Sequence, residues 1–440
     1  MQNFGYWNKE VETLPPRDLR RLQERKLQDT ILNAYHHNEF YRNLYRNAGV
    51  FPSDITCLED LAKLPFTNKE RVRSAFPFGL KLKSPHPHVE MHCTSGTTGK
   101  PVPVFATRND IRRWAELNAR SLWMVGLRPG DILQNAYGYG FPTGGFGFHY
   151  GGMELGAMVI PIGAGQIDRQ IDTILDFGVA AICMTPSYAI YLSERAHELG
   201  IDFRESGRLR LGLFGAEPWP EATRQRIETS LGITAYDEFG MTEMLGPGMS
   251  CECPVRDGMH VWADAFIVEC IVPNSEEPVP EGKEGELVWT WLGSEGTAII
   301  RYRSGDLASI IKDDCPCGRT HPKISRIKGR CDDAFSVNGF VVFPSQVEDV
   351  LIGKPGVGSN FKILLNKDSR GLDSMTVSVE VLPVTGITPD KLRENLSRSL
   401  KAVTGITCSI DLVAPGSLSR SVQGEGKTAS NRVEDLRWKT

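Results

Sequence analysis

Ten consecutive residues, His92-Cys93-Thr94-Ser95-Gly96-Thr97-Thr98-Gly99-Lys100-Pro101, bring together two glycines and four hydroxyl side chains. Glycine lets the backbone come close to an anion, and free N–H and hydroxyl groups donate to its oxygens, so the stretch reads as a phosphate cradle. A Walker-type loop needs four residues between its glycines and a Ser or Thr after the lysine. Here two residues separate Gly96 from Gly99 and Pro101 follows Lys100, so that reading fails. A plain Ser/Thr/Gly turn is the structural alternative.

Three further groups could act with such a cradle. Glu243 closes the stretch Asp237-Glu238-Phe239-Gly240-Met241-Thr242-Glu243, and a lone carboxylate suits Mg²⁺, which takes few protein ligands beside substrate phosphates. Asp306, ending Arg301-Tyr302-Arg303-Ser304-Gly305-Asp306, could accept from ribose hydroxyls. Ala136–Gly152 holds seven glycines and six aromatic residues, which fits either a wall against which a flat ligand slides or a loop whose rings fill core space. Separately, Cys251, Cys253, His260 and the pair Cys315-Pro-Cys317 offer the N/S donors that structural Zn²⁺ prefers.

The elements that position these residues follow from periodicity. Residues 16–48 read as helix, and Thr67 and Glu70 stand in the capping-box relation at the start of another. Glu90–Cys93 reads as a strand delivering the glycine loop, followed by a helix over Asn109–Val125. From Gly156 to Phe214 short apolar runs alternate with helical segments (Asp168–Gly178, Ser187–Leu199), which predicts β-α-β units and a largely parallel sheet. Gly215-Ala216-Glu217-Pro218 and Tyr236–Glu243 then fall at strand ends, where α/β sheets bind ligands. Past Val261 the pattern turns β-rich. A compositional shift near Arg330 separates a small α+β region. Its strand faces are Phe361/Ile363/Leu365, Met375/Val377/Val379/Val381 and Ile406/Cys408/Ile410/Leu412, with a helix over Pro389–Val403.

With 440 residues, the chain is longer than one core usually supports. A net charge of −4 gives no basic excess for nucleic acid or anionic membrane. No apolar run is long enough to span a bilayer, and the opening residues lack a signal-peptide pattern. Ten cysteines in such a chain suggest reduced thiols or a metal site, hence a cytoplasmic enzyme.

In this order the motifs resemble those of the adenylate-forming superfamily of acyl-CoA synthetases, and within it the phenylacetate–CoA ligase-like family. The glycine loop is similar to that family's phosphate signature. Tyr137-Gly-Tyr139-Gly-Phe141-x-Thr143-Gly-Gly, Gly215-Ala216-Glu217-Pro218, Phe239-Gly-Met-Thr242-Glu243, Arg301–Asp306 and Arg326-Ile-Lys-Gly-Arg330-Cys-Asp332-Asp333 resemble its other signatures, covering nearly the whole chain.

The resemblance implies an α/β fold, with a large N-terminal adenylate-forming domain (1–331) and a small mobile α+β C-terminal domain (332–440). It implies that a carboxylate attacks the α-phosphate of Mg-ATP, giving an acyl-adenylate and pyrophosphate, and that the thiol of coenzyme A then displaces AMP. By family position, Ser95, Gly96, Thr97, Thr98 and Gly99 clasp phosphates, Thr242 touches the α-phosphate, and Glu243 holds Mg²⁺. Phe239 packs on adenine with Gly240, Ala216, Glu217, Pro218, Asp237 and Glu238 around it. Asp306 and Arg330 hold the ribose, with Arg326 nearby. Tyr137, Tyr139, Phe141, Gly144 and Gly215 form the acyl side, favouring an aryl or arylacetic acid. Lys427 is the expected adenylation lysine, although Arg432-Val433 follows it after four intervening residues rather than within about two. Asp332 is the expected hinge. A Cys, a His seven residues later and a Cys-x-Cys-Gly-Arg in relatives point to Cys253, His260, Cys315 and Cys317 as zinc ligands, with Cys251 spare. A homodimer is the family tendency. Transfer to a carrier protein or an amine, adenylation of a deazaflavin, and a non-catalytic nucleotide-binding module are the alternatives.

Overall fold

The computed structural model describes residues 5–94, 100–206, 208–331, 333–338, 340–352, 354–367, 372–382, 387–418 and 432–437. Its centre is one long mixed sheet. Five short strands, Met158–Ile160, Ile132–Asn135, Ala181–Met184, Leu211–Phe214 and Thr234–Phe239, lie side by side in parallel. The sheet then continues antiparallel through Ser250–Glu252, Met259–Val261, Lys323–Ile324, Tyr302–Ile311, Glu284–Trp291 and Phe266–Ile271. The apolar runs Ala181–Met184 and Leu211–Phe214 are buried along their whole length, as parallel strands covered on both faces must be. Crossover helices Ile167–Phe177, Pro186–Glu198 and Glu221–Leu231 supply that cover.

Helix Arg108–Val125 starts at a capping box: Thr107 accepts from Asp110 N–H, while the Asp110 carboxylate accepts from Thr107 N–H. The box predicted at Thr67/Glu70 does not form. Asn68 caps Lys69–Ser74 instead, and Thr67 bridges to the strand beginning at Tyr302, donating its hydroxyl to the Ile300 carbonyl at 2.8 Å. The single helix expected over 16–48 is two, Pro16–His37 and Glu39–Asn47, because Asn38 leaves the helical region and caps the second.

The glycine-aromatic segment departs most from expectation. Gly144–Leu155 is a helix packed on Arg108–Val125, and Gly147 and Gly151 serve that packing. A Cβ on Gly151 would stand 2.3 Å from the Asn118 Cβ, and one on Gly147 would stand 2.7 Å from Pro247. Gly151→Ala is therefore expected to lose about 1–3 kcal/mol of stability by overpacking. A denaturant titration checks this, and an unchanged midpoint would contradict the packing role.

From Phe335 onward the chain has a core of its own. A four-stranded sheet, in the order Ser409–Val413, Asp373–Val381, Val357–Lys367, Val433–Asp435, carries helices Pro344–Leu351 and Pro389–Thr404. The last predicted strand is shorter than expected: Ile406 and Cys408 are buried but precede it. No helix among the described residues is long and apolar enough to cross a membrane.

Candidate active site and metal cluster

The C-terminal ends of the parallel strands open onto a cavity of about 820 Å³, within the range of small-molecule sites. One wall is Tyr137, Gly138, Tyr139, Gly140, Gly144 and Phe148, and facing it are Thr185, Ser187, Tyr188 and Tyr191. Tyr137 is stacked on Phe148 at 5.5 Å and is fixed through its hydroxyl, which donates to the Met184 carbonyl and accepts from Gly215 N–H. Burial pushes its phenol well above the ordinary range, so it is a neutral wall. Tyr139 accepts from Asn135 at 2.8 Å.

The nucleotide-side residues line the same space. Ala216, Glu217 and Pro218 follow the strand Leu211–Phe214, with Ala216 held at φ +70°, a left-handed conformation unusual for alanine. Glu217 accepts from Ser187 N–H at 2.6 Å, while its second oxygen is buried without a partner among the described residues. Asp237 to Glu243 form the opposite rim. Phe239 stacks on Trp289 at 5.4 Å, so one ring face is occupied by protein. Asp237 accepts from Trp219 at 2.8 Å, and Arg326 stands 3.8 Å away, itself paired with Glu221.

Glu243 is buried and accepts from the Tyr302 hydroxyl at 2.9 Å; Thr242 stands 3.5 Å from the buried Thr143 hydroxyl. Asp306 and Arg330 are paired at 2.9 Å, opposite each other on adjacent strands. Thr94, the residue before the glycine loop, also lines the cavity. From the C-terminal region come Glu348, Ile352, Asn360 and Arg432, with Glu348 and Arg432 paired. Burial, against the Arg432 charge, pushes the Glu348 carboxyl up to about 6.

Three expected residues stand apart from the lining. Phe141 is 63% exposed, and only its carbonyl is used, accepting from Cys93 N–H at 3.0 Å. Gly215 is packed where a Cβ would meet the Glu238 carbonyl at 2.3 Å, so its role is interstrand fit. The Arg326 guanidinium lies over Trp219. Ser95 to Gly99, Asp332 and Lys427 lie outside the described residues. Sequence reasoning left Tyr302 and Thr143 without roles although both sit inside quoted motifs. Glu348 had no local signal.

Glu238 sets a pH dependence. It accepts from Gly248 N–H, but burial dominates and pushes its carboxyl up to about 8. The folded chain thus keeps a proton that the unfolded chain has released. The stabilisation is full below the ordinary carboxylate range and is lost as pH rises through about 8. The unfolding midpoint should fall between pH 5 and 9, and Glu238→Gln should flatten that fall. An equally steep fall in the variant would remove Glu238 as its source.

Away from this cavity the fold gathers Cys253, His260, Cys315 and Cys317, all buried, with their ligand atoms within 4.8 Å of one another. Cys253 and Cys315 sulfurs are 3.6 Å apart, and Cys317 Sγ is 3.3 Å from His260 Nε2. Around a tetrahedral zinc with Zn–S near 2.3 Å, sulfur–sulfur distances are about 3.7 Å, so the donor set fits that ion. His260 Nδ1 faces the His321 carbonyl at 3.1 Å, which leaves Nε2 as the donor toward the cluster. Hydrogen bonds from Cys253 and His260 hold the Cys317 thiol far below the ordinary range, against its burial. Cys251 is turned to the Glu252 carbonyl.

Comparison with known proteins places this arrangement. The family model described as AMP-binding enzyme matches residues 57–291, and that of the AMP-binding enzyme C-terminal domain matches residues 339–437. A phenylacetate-coenzyme A ligase of Thermus thermophilus is 40% identical, the alignment covering 97% of this chain and 99% of that one. The Escherichia coli K12 protein of the same name is also 40% identical, over 97% of each. Among solved structures, a 2-hydroxyisobutyryl-CoA ligase in the postadenylation state with 2-HIB-AMP superposes with TM-score 0.89 at 31% identity, covering 98% of this chain and 92% of that one. The same ligase in the thioesterification state, with 2-HIB-AMP and CoA, gives 0.72 at 32% identity, over 98% and 93% of the two chains. The chain as a whole therefore superposes more closely on the former. By both family models and by near-full-length identity, the chain belongs to the AMP-binding, adenylate-forming enzymes, in their phenylacetate–CoA ligase-like family.

Proposed function

We infer that the protein is an AMP-forming acid–CoA ligase that joins a carboxylic acid to ATP as an acyl-adenylate and passes the acyl group to coenzyme A. The observation that carries this reading is the convergence of the Thr242–Glu243 motif, the Asp306–Arg330 pair and an aromatic wall on one cavity. The first step brings two anions together, so oriented donors and cations must absorb the charge at the α-phosphate. Thr242 offers a hydroxyl there. Glu243, steadied by Tyr302, would hold Mg²⁺, which supplies charge neutralisation at the phosphates. Asp306, paired with Arg330, presents a carboxylate to the ribose hydroxyls. Ser95 to Gly99 are assigned to the terminal phosphates, Lys427 to the α-phosphate and Asp332 to the hinge.

The boundary between the two units is assigned at 331/332, just before the separate C-terminal core. The acid is proposed to be an aryl or arylacetic acid. Tyr137, Tyr139, Phe148 and Tyr188 frame the acyl side, and flat rings stack favourably there. The relatives named phenylacetate-coenzyme A ligase support the same class. Cys253, His260, Cys315 and Cys317 are assigned to a structural zinc, closed and remote from the chemistry. The reaction is placed in the cytoplasm, in keeping with ten cysteines that are all free.

A pyrophosphate-release screen across carboxylic acids, with and without coenzyme A, tests the reading. Phenylacetate or a benzoate is expected to give the fastest turnover, with AMP and an acyl-CoA as products. Release only with aliphatic acids would overturn the substrate class. Release without thioester formation would overturn the acceptor.

A further inference from the structure

His92 is buried two residues before Thr94, yet it does not itself line the cavity. It lies on the strand His88–Cys93, which ends where the glycine loop begins. Its ring is held edge-on between Trp114 at 5.7 Å and Phe146 at 5.1 Å. Phe146 in turn meets Tyr139 of the aromatic wall at 5.3 Å.

Both ring nitrogens face acceptors. Nδ1 stands 3.1 Å from the Phe141 carbonyl oxygen, and Nε2 stands 2.5 Å from a Glu90 carboxylate oxygen. Tyr150 donates to the other Glu90 oxygen at 2.9 Å. Against the effect of burial, the bonds to His92 and Tyr150 hold the Glu90 carboxyl below its ordinary range, so it remains an acceptor. A carbonyl and a carboxylate can only accept, so both imidazole nitrogens carry hydrogen and both donate. Donation between charged groups makes the Glu90 bond stronger than a neutral one. The Phe141 carbonyl thus takes two donors from consecutive residues, His92 Nδ1 and Cys93 N–H. Around that carbonyl, Gly140, Pro142 and Thr143 line the cavity. Just beyond Cys93, Thr94 closes the base of the glycine loop: its N–H donates to the Val102 carbonyl, and its hydroxyl accepts from Val102 N–H.

We propose that His92 is a positioning residue for adenylation: clamped between Glu90 and Phe141, it sets the acyl wall against the base of the phosphate loop. The inference rests on the assignment of those two features to the acid and to ATP. Each ligand meets its own residues without touching His92. What His92 fixes is their alignment, and a small displacement between reacting groups shows in rate rather than in affinity.

The test compares the two half-reactions on the full chain: ATP–pyrophosphate exchange with phenylacetate and benzoate, and thioester formation from the supplied acyl-adenylate and coenzyme A. His92→Phe keeps a ring and removes both donors. It should lower kcat of exchange by about thirtyfold, with KM for ATP and for the acid within about threefold of the parent. Thioester formation should stay near the parent rate, because pyrophosphate has already left. His92→Asn places an amide nitrogen where Nδ1 stands and should recover most of the exchange rate. His92→Gln places it nearer Nε2 and should not. Equal loss in both half-reactions, equal rates in the Asn and Gln variants, or a raised KM with kcat unchanged would overturn the proposal. Should His92→Phe fail to fold, the contrast between Asn and Gln still decides. No exchange in the parent with either acid would remove the functional reading and the positioning role with it. Parental exchange that the His92 variants leave intact would remove the positioning role alone.

Discussion

Glu243→Gln is expected to slow the overall reaction by about a thousandfold, corresponding to about 4 kcal/mol of lost transition-state stabilisation. The substitution keeps the side chain's shape and leaves an oxygen to accept from Tyr302, now 2.9 Å from the carboxylate. What it removes is the one negative charge assigned to Mg²⁺, in a buried position where a lost ionic partner is felt most. The defect should appear in ATP–pyrophosphate exchange, and the unfolding midpoint should stay near that of the parent. Tyr302→Phe, which removes only the supporting hydrogen bond, should cost nearer tenfold. Exchange within tenfold of the parent in Glu243→Gln would take the metal role away from this residue.

The second large effect concerns the cysteine–histidine cluster. Cys317→Ser is expected to lose about 4 kcal/mol or more of stability, the range in which a lost metal site falls. The Tm should drop by roughly 5 °C for a chain of this size. Chelation of the parent protein should give the same shift, and metal analysis should find one zinc per chain. The loss should spread to the N-terminal segment, because that segment is fastened to the cluster's own loop. Tyr6 donates to the Cys317 carbonyl at 3.0 Å, and Arg319 and Glu12 form a fully buried ion pair. Hydrogen exchange over residues 5–14 would register this. Activity of the surviving folded fraction should change little, since no ligand of the cluster lines the substrate cavity. An unchanged Tm after chelation would leave four buried thiol and imidazole groups without zinc to explain them.

Much of this protein was readable before any coordinates. The alternation of apolar runs with helical segments marked the parallel strands and their crossovers, because that pattern reports burial on two faces and needs no long-range information. That Thr242, Glu243 and Asp306 belong to one site was legible because their chemistry depends on residue type over a few positions. Local reading failed where a distant partner chose between equal options. Thr67 could cap a helix, but Ile300 and Arg301 bind it more completely as part of a sheet edge. Gly147 and Gly151 could have faced a ligand, and only the approach of Pro247 and Asn118 shows that they face protein, whereas Gly144 lines the cavity.

What the sequence by itself determined was the set of reactive groups, their order, and the class of fold able to present them. Only the tertiary structure decided which of them meet. Tyr302 reaches Glu243 across 59 positions, and Cys253 meets Cys315 across 62. The reason is physical. Residue type and spacing set local conformation and intrinsic chemistry, whereas pairing, burial and the charge each group faces are set by which elements pack together.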